Sequence, residues 1–321
     1  MHRRALPYLA GGLALRSLPT RAQDLSQRAT RMVVPFAPGG TTDILARLLS
    51  ERFQAEFGQP LVLDLRPGAG GTIGTHFVAQ QRPDGATLLM GTPGTHATAT
   101  ALYPNLPYDP VRDFAPVALI ASVPNIVVVH PALPIHSIAD LIAAARAAPG
   151  RINYGSAGTG ATTHLSGELF RLMTGSDIVH VPYRGSGAAL TDLMGGQIQM
   201  MFENLPGAIQ HVREGRLRAI AVTSAQRSQA APEFPSVAET VPGYEVNSWF
   251  AVFAPAGTPR PTVLRLNQGL RRILAEPAMA LRFRDLGAER GDGSPEDLAT
   301  LIGEETARWA QVIRTANITL Q

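Results

Sequence analysis

The 321-residue chain contains neither cysteine nor lysine, and each absence excludes several kinds of chemistry. Without cysteine, the chain cannot form disulfides, iron–sulfur clusters or zinc–thiolate sites. Without lysine, it cannot form a lysine Schiff base or bind phosphate through a Walker-type lysine. Apolar residues make up 45% of the sequence and charged residues 17%. This composition is typical of a folded globular protein and not of a disordered chain.

The positive net charge of the chain comes from its first residues. The formal net charge is +3. Residues 1–22 carry Arg3, Arg4, Arg16 and Arg21 and no acidic residue, which leaves 24 of the 28 arginines against all 25 acidic residues. There is no basic run of the kind that binds nucleic acids. No nucleic-acid partner is therefore expected.

Residues 1–22 have the pattern of an export signal. Two arginines precede a modest apolar stretch at 5–15, and Thr20 and Ala22 are small residues at the positions that determine cleavage. The stretch is too short for a permanent anchor, and no later segment reaches about 18 uninterrupted apolar residues. The pattern predicts cleavage after Ala22 and a periplasmic location. The arginine pair leaves general or twin-arginine export open.

Beyond the leader, short apolar runs alternate with helical patterns in two blocks, as expected of two α/β units. The first block is predicted to have strands and helices in the order β-α-β-α-β, at 32–36, 41–57, 61–65, 72–81 and 87–90. Two apolar runs are predicted at 117–123 and 126–129. The second block is predicted to have a helix beginning at Ser137, followed by elements at 152–154, 162–173, 178–181, 188–194, 198–202 and 217–223. A strand at 246–253 and helices at 261–275 and 295–315 complete the pattern.

The C-terminal helices need a sheet to cover, and this requirement predicts how the chain is divided. The economical arrangement has the chain enter a second lobe near residue 124 and return near residue 246. One lobe would then comprise 31–123 plus 246–321, and the other 124–245. Two crossings of this kind form a hinge with a cleft between the lobes.

Two segments with the same design lie in different predicted lobes. Each has a strand, a glycine-rich turn with hydroxyl side chains and a helix, at 34–43 and 153–164. A helix N-terminus exposes unpaired N–H groups and the positive end of the helix dipole, and glycines let an anion approach the backbone. The two segments therefore predict a carboxylate site, although each could instead be an ordinary turn with glycine for geometry and threonine for capping. The predicted ligand-binding residues of the two segments are Phe36, Ala37, Gly39, Gly40, Thr41, Thr42, Asp43, Ser156, Gly158, Thr159, Gly160, Ala161, Thr162, Thr163 and His164.

Other motifs carry less information. The segment 66–74 fails the dinucleotide fingerprint because Ile73 occupies the position of the third glycine, so a structural turn is expected. Thr92 ends another strand and could line the same cleft. His164 and Glu168 lie one helical turn apart and are predicted to be a surface pair or a helix cap. Neither Ser156 nor Ser186 has the glycine spacing of a nucleophile elbow, and the histidines lack metal-binding spacing. No cofactor, metal or catalytic residue is predicted.

Several segments taken together resemble one family, from about Arg31 to the C-terminus. They are VVPFAPGGTTD (33–43), RPGAGG (66–71), LPYDP (106–110), YGSAG (154–158), HVPY (180–183) and FAPAGTP (253–259). This set is similar to the Bug-type substrate-binding proteins of tripartite tricarboxylate transporters. The resemblance implies a two-lobed, type II periplasmic-binding-protein fold of the α/β class, in which both glycine-rich loops close on a ligand carboxylate.

The resemblance also points to two departures. Ala37 stands where the family commonly has proline, and Glu203 replaces a frequent aspartate next to Asn204. Glu203 and Asn204 are therefore added to the predicted ligand-binding residues. The expected function is capture of a small carboxylate, by a protein expected to be a monomer, for delivery to integral-membrane transporter subunits. A carboxylate sensor and an enzyme on the same fold are the alternatives.

Overall fold

The structure is a computed structural model that describes residues 29–229, 231–315 and 318. The predicted export signal at 1–22 lies outside the described residues. Within them, ten strands form one curled mixed sheet with helices on its faces. None of the helices in the described part of the chain is both long and apolar enough to span a lipid bilayer.

The first part of the sheet holds three parallel strands. The central strand, β1 (Thr30–Val34), pairs with β2 (Leu61–Leu65) on one side and with β3 (Thr87–Gly91) on the other. The chain connects these strands through α1 (Thr41–Phe57) and α2 (Thr72–Ala79). Because parallel strands end at a common edge, the loops after β1 and β3 open at the same edge of the sheet. Short helical turns complete this part, at Ala69–Gly71, α3 (Pro93–His96) and α4 (Ala99–Leu102).

The second part of the sheet repeats this design. Strand β5 (Ile152–Ser156) lies between β6 (Ile178–Pro182) and β7 (Met200–Asn204), and all three run parallel. Their carboxyl ends therefore also share an edge. The helices of this part are α5 (Ile138–Ala147), α6 (Thr162–Thr174), α7 (Ser186–Met194) and α8 (Leu205–Arg213).

One long strand, β4 (Phe114–Val129), connects the two parts. Up to Pro124 it pairs antiparallel with β9 (Asn247–Pro255). From Asn125 onwards it pairs instead with β7 and with β8 (Arg218–Val222). The division of the chain into lobes at 124 and 246 stays a prediction, and the change of pairing partner along β4 is the feature that bears on it.

The C-terminal segment returns to the first part of the sheet, where α9 (Arg260–Ala275) and α11 (Pro295–Thr315) both pack against β4. Leu45, Leu49 and Phe53 of α1 and Leu266 and Leu270 of α9 share one core, and all are buried. Burial of each such side chain contributes about 1.5–3 kcal/mol. This core fixes the position of α1 and hence of the loop that precedes it. The elements of the segment are α9 (Arg260–Ala275), α10 (Pro277–Leu286), β10 (Glu289–Arg290) and α11 (Pro295–Thr315).

The structure adds two features that the sequence pattern did not specify. The apolar runs at 117–123 and 126–129 are parts of the single strand β4. Pro124 does not break it, because this residue lies where the strand changes partner and its missing N–H costs little. The helix α10 was not predicted, since only Met279 and Phe283 of its side chains are buried and the apolar periodicity is correspondingly weak.

Candidate functional site

A small cavity lies between the two parts of the sheet and has no ionisable side chain in its lining. Its volume is about 20 Å³, which is room for about one water molecule. The lining residues are Phe36, Gly40, Thr41, Thr42, Thr92, Ala157, Ala161, Thr162, Thr163, Ser186, Asn204, Ser248 and Phe250. The wall is thus built mainly from hydroxyls, backbone and two aromatic rings.

Four helices of eight residues or more begin at this cavity. The N-caps of α1, α6 and α8 are Gly40, Ala161 and Asn204, and α7 begins with Ser186. No side chain caps the backbone at any of these four starts. In contrast, Ser137 caps α5 away from the cavity, by accepting the N–H of Asp140. The cavity therefore collects uncapped N–H groups and the positive ends of four helix dipoles, which favours an anion.

The first glycine-rich loop is held in shape by Asp43. Gly39 has a φ of 86°, a backbone conformation that side chains rarely adopt. Its N–H donates to Oδ2 of Asp43 at 3.0 Å, and Arg47 pairs with Oδ1 at 2.9 Å. Asp43 is buried but does not line the cavity. Its role is to brace the turn that presents Gly40 and Thr41 to the cavity.

We expect Asp43→Ala to weaken ligand binding about tenfold, because the loop loses a charge-assisted hydrogen bond of about 1.5–3 kcal/mol. Isothermal titration calorimetry with the bound acid would measure the change. Asp109→Ala is a matched control, since Asp109 accepts backbone N–H groups and pairs with Arg112 in a loop away from the cavity. Equal loss of affinity in both variants would contradict a specific role for Asp43.

The second glycine-rich loop is braced by its own helix. The N–H of Ala157 donates to Oγ1 of Thr163 at 2.9 Å, and the N–H of Gly160 donates to Nδ1 of His164 at 3.1 Å. A hydrogen bond from the N–H of Gly158 to Oγ of Ser156, at 3.1 Å, closes the turn. The side chains of Ser156 and His164 thus hold the loop from behind, while its outer face forms the cavity wall.

His164 belongs to a buried aromatic cluster, so the prediction of a surface pair with Glu168 is wrong. The rings of His164 and His180 are 4.0 Å apart, and Tyr154 donates to Glu168 at 2.6 Å. Burial, with Arg171 nearby, lowers the pKa of His164 to about 4. Burial also lowers the pKa of His180 to about 3, with His164 adding to the effect. Both rings are therefore neutral at ordinary pH. The helical pattern alone indicates an exposed pair, because it does not reveal that Tyr154, a residue of another element, covers the pair.

Ser156 and His180 form a hydrogen bond of 2.6 Å between Oγ and Nε2. A nucleophile and its base make the same kind of contact. Ser156 is fully buried, however, and its hydroxyl already accepts the N–H of Gly158. Since Ser156 does not line the cavity, the contact serves to hold the loop.

The two parts of the sheet are in direct contact around the cavity. The N–H of Ala37 donates to the carbonyl of Arg184 at 3.0 Å. Thr98 and Tyr103 donate to the carbonyls of Gly160 and Thr159, at 2.8 and 3.0 Å. These three hydrogen bonds bridge the two parts of the sheet, and two of them are accepted by backbone carbonyls of the second glycine-rich loop.

Asn204 and Glu203 lie together at the end of β7 but occupy different places. Asn204 lines the cavity, and its side-chain amide donates to the side-chain carbonyl of Asn125. Glu203 is fully buried behind the wall. Burial raises its pKa to about 8, and the Ser186 hydroxyl and the Asn204 N–H oppose this rise. Glu203 is therefore largely a neutral acid at pH 7 in this structure.

The structure brings half of the predicted ligand-binding residues to the cavity. Those that line it are Phe36, Gly40, Thr41, Thr42, Thr92, Ala161, Thr162, Thr163 and Asn204. Those that lie outside the lining are Ala37, Gly39, Asp43, Ser156, Gly158, Thr159, Gly160, His164 and Glu203. Ala157, Ser186, Ser248 and Phe250 line the cavity but were not predicted to bind ligand. The signal that could have identified Ser186 is its place between two glycines at a helix start, which is the pattern of the other loops.

A larger groove, of about 610 Å³, lies at the outside of the crossing strands and includes Trp249. Its arginines already have partners. Arg227 pairs with Glu239, and Arg308 pairs with Glu305 and donates to the carbonyl of Glu245. Size alone does not make a binding site, and the small cavity is the one with convergent unsatisfied donors.

Comparisons with known proteins agree with this geometry. The family described as tripartite tricarboxylate transporter family receptor matches residues 45–318. Protein BugT of Bordetella pertussis is 38% identical over 94% of each chain. The structure of Rpa4515 of R. palustris with adipate is 44% identical, with a TM-score of 0.90, covering 92% of this chain and 99% of that one.

A further similar structure is MatC from Rhodopseudomonas palustris with bound malate. It is 35% identical, with a TM-score of 0.86, covering 89% of this chain and 99% of MatC. The predicted α/β fold of the periplasmic-binding-protein type is therefore confirmed, as is the resemblance to the Bug-type proteins. The chain belongs to the tripartite tricarboxylate transporter receptor family and is a solute-binding protein of that family.

Proposed function

We propose that this protein captures a small carboxylate between its two lobes and delivers it to a membrane transporter. The observation that carries the proposal is the convergence of four uncapped helix starts on one cavity that has no ionisable side chain in its wall. Backbone N–H groups and threonine hydroxyls supply hydrogen-bond donors, and the helix dipoles supply positive potential. A carboxylate can accept the hydrogen bonds from these donors, and its negative charge is attracted by the positive potential.

Capture proceeds by closure of the hinge. A cavity of about 20 Å³ is too small to hold a dicarboxylate, so the lobes separate to admit the ligand and close around it with more space between them than this structure has. In the open form each lobe offers only its own helix starts. The ligand then binds the closed form better, because only there do both glycine-rich loops contact it.

Delivery to membrane subunits, from the periplasm, is the role that the family's description supports. The closed surface, on which Ala37 meets Arg184 and Tyr103 meets Thr159, exists only when the lobes are together. A membrane partner can therefore distinguish the loaded protein from the open one. Adipate and malate, present in the two similar structures, make a dicarboxylate the first class of ligand to test.

Acids should raise the melting temperature of the protein, and their neutral amides should not. The experiment is a thermal-shift screen of residues 23–321 against adipate, malate and other small carboxylates, each beside its amide. A ligand present at 100 times its Kd adds about 2.7 kcal/mol to the free energy of unfolding, and the amide loses most of this because it cannot offer a negative charge to the helix starts.

Thr41→Val with Thr162→Val tests whether the response arises in this cavity, since both hydroxyls line it. Thr300→Val on the exposed face of α11 is the matched control. Equal shifts for acids and amides would overturn the anion site. Mass spectrometry of the denatured protein beforehand excludes acid retained from expression as the reason for a flat screen.

A further inference from the structure

Glu203 is a buried carboxyl group with no hydrogen-bond partner of normal geometry among the residues that the structure describes. It comes from the end of β7 and reaches the interface between the lobes. A Cβ atom added at Gly207 would lie 2.6 Å from Oε1 of Glu203 and 3.2 Å from Oγ1 of Thr41. The carboxyl group therefore packs against the start of α8 and beside the first residue of α1, which belongs to the other lobe.

The residues around Glu203 are those of the cavity wall. Thr41, Ser186 and Asn204 all line the cavity, while Glu203 lies directly behind them. Oγ1 of Thr41 also has no hydrogen-bond partner among the described residues. A negative charge at Glu203 would thus lie close to any anion held by the helix starts, in a region that contains little water. Two like charges that lie close together with little water between them repel strongly.

No ionised group compensates Glu203. The ionisable residues on the neighbouring helices are Asp43, Arg47, Glu51, Arg52 and Glu56 on α1, Arg184 before α7, Asp192 on α7, and His211 and Arg213 on α8. On β4 the cross-strand neighbour of Glu203 is Ile126. None of these charges contributes to the pKa of Glu203, which burial raises from 4.5 to about 8. Asp43 is occupied by Arg47 and by the N–H of Gly39.

Opening of the cleft changes the surroundings of this carboxyl group. When α1 moves away with its lobe, water reaches the end of β7, and a hydrated glutamate ionises with an ordinary pKa. When the lobes close, Thr41 covers the carboxyl group again, beside Ser186, which lies in the same lobe as Glu203. Closure therefore favours the protonated form, and the proton comes from the surrounding water.

We propose that Glu203 takes up one proton each time the lobes close on a carboxylate, so that the anion and the proton are captured together. The inference rests on the proposed function, because it assigns a role to Glu203 in that same site. It also makes Glu203 a determinant of affinity that does not touch the ligand.

The linkage has a defined sign and pH window. The carboxyl group has its raised pKa, about 8, in the closed form and its ordinary value of 4.5 once hydrated. The stabilisation of the closed form is complete below about pH 4.5 and is lost as the pH rises to about 8. Between these values the affinity should fall by about tenfold per pH unit, since one proton enters with each ligand.

The test is isothermal titration calorimetry with adipate, or with malate if adipate gives no thermal shift, between pH 6 and 7.5. At each pH the titration is done in two buffers that differ in ionisation enthalpy, which counts the protons taken up. The native protein should take up about one proton, and its affinity should fall about 30-fold over this range. Glu203→Gln should bind with no proton uptake and with an affinity that changes less than about threefold. Glu51→Gln, at an exposed position on α1, is the control and should behave as the native protein does.

Each outcome bears on the inference. If the native protein binds the acid without taking up a proton, the inference is overturned, and no variant is needed for this conclusion. An equally steep pH dependence in Glu203→Gln also overturns it, because the proton would then enter elsewhere. Circular dichroism shows whether Glu203→Gln folds. Failure of the native protein to bind any acid of the panel at any pH would instead reject the proposed function, and the inference with it.

Discussion

Substitution of Gly187 by valine is expected to raise the Kd for the captured acid by about 100-fold or more, while the protein stays folded. Gly187 lies in the first turn of α7, and a Cβ atom there would be 2.1 Å from the carbonyl oxygen of Pro38. The clash is with the backbone of the loop after β1, in the other part of the sheet. Under the proposed closure, valine at this position keeps the two parts apart without disturbing the part that contains it. Isothermal titration calorimetry measures the affinity, and urea unfolding measures the stability.

Gly303→Val provides the matched control for this experiment. Gly303 lies in α11, and nothing is within 4 Å of a Cβ atom at that position. Its substitution should change the free energy of unfolding by less than about 1 kcal/mol, since valine is a slightly better helix former than glycine, and should leave the Kd unchanged. A Kd for Gly187→Val within about threefold of the native value would mean that the closed contact between Gly187 and Pro38 is not needed for capture.

The second large effect is expected at Thr223, beside the two strands that connect the parts of the sheet. Oγ1 of Thr223, which is fully buried, accepts the N–H of Asn125 at 2.8 Å and donates to the carbonyl of Val246 at 2.6 Å. These two residues lie where the chain passes between the two parts of the sheet. Thr223→Val removes the hydroxyl and leaves both backbone groups buried without this partner. The free energy of unfolding should fall by about 2–4 kcal/mol, as measured by urea unfolding.

Thr300→Val is the comparison for Thr223→Val. Thr300 makes a hydrogen bond of 3.1 Å to the carbonyl of Glu296 on the exposed face of α11, where water can replace it. Its loss should change the free energy of unfolding by less than about 0.5 kcal/mol. Similar losses in the two variants would show that the hydroxyl of Thr223 has no special part in holding the two crossings together.

Elements with strong local signals were predictable from the sequence. Helix α1 has a regular apolar face and ends at Gly58 in the left-handed conformation, and α11 begins after a capping serine with proline in its first turn. The bounds of both helices match the prediction. Elements that depend on partners distant in the sequence were harder to predict. Strand β4 looks interrupted at Pro124 because its continuity comes from β7, β8 and β9, which lie far away in the sequence.

The residues of the candidate site also divide into those that local sequence patterns predict and those that they do not. Thr41, Thr42, Thr162 and Thr163 could be predicted because each follows glycines or small residues at a helix start. Ser248 could not, since it lies near the start of an apolar strand and reaches the cavity only because β9 runs beside β4, the strand that connects the two parts of the sheet. Phe250 follows two positions later on the same strand and was missed for the same reason. Local patterns reveal which groups can bind an anion, but topology decides which further side chains surround it.

The hydrogen bonds between the two parts of the sheet also bear on how long a ligand stays. Under the proposed closure, the bonds from Thr98 to Gly160 and from Tyr103 to Thr159 must break before a bound ligand can leave. The residence time is then governed by how often the hinge opens, and not by the strength of any single contact with the ligand. A membrane partner that holds the lobes apart would shorten this time directly. Such a partner could collect even a tightly held acid without first weakening the donors that selected it.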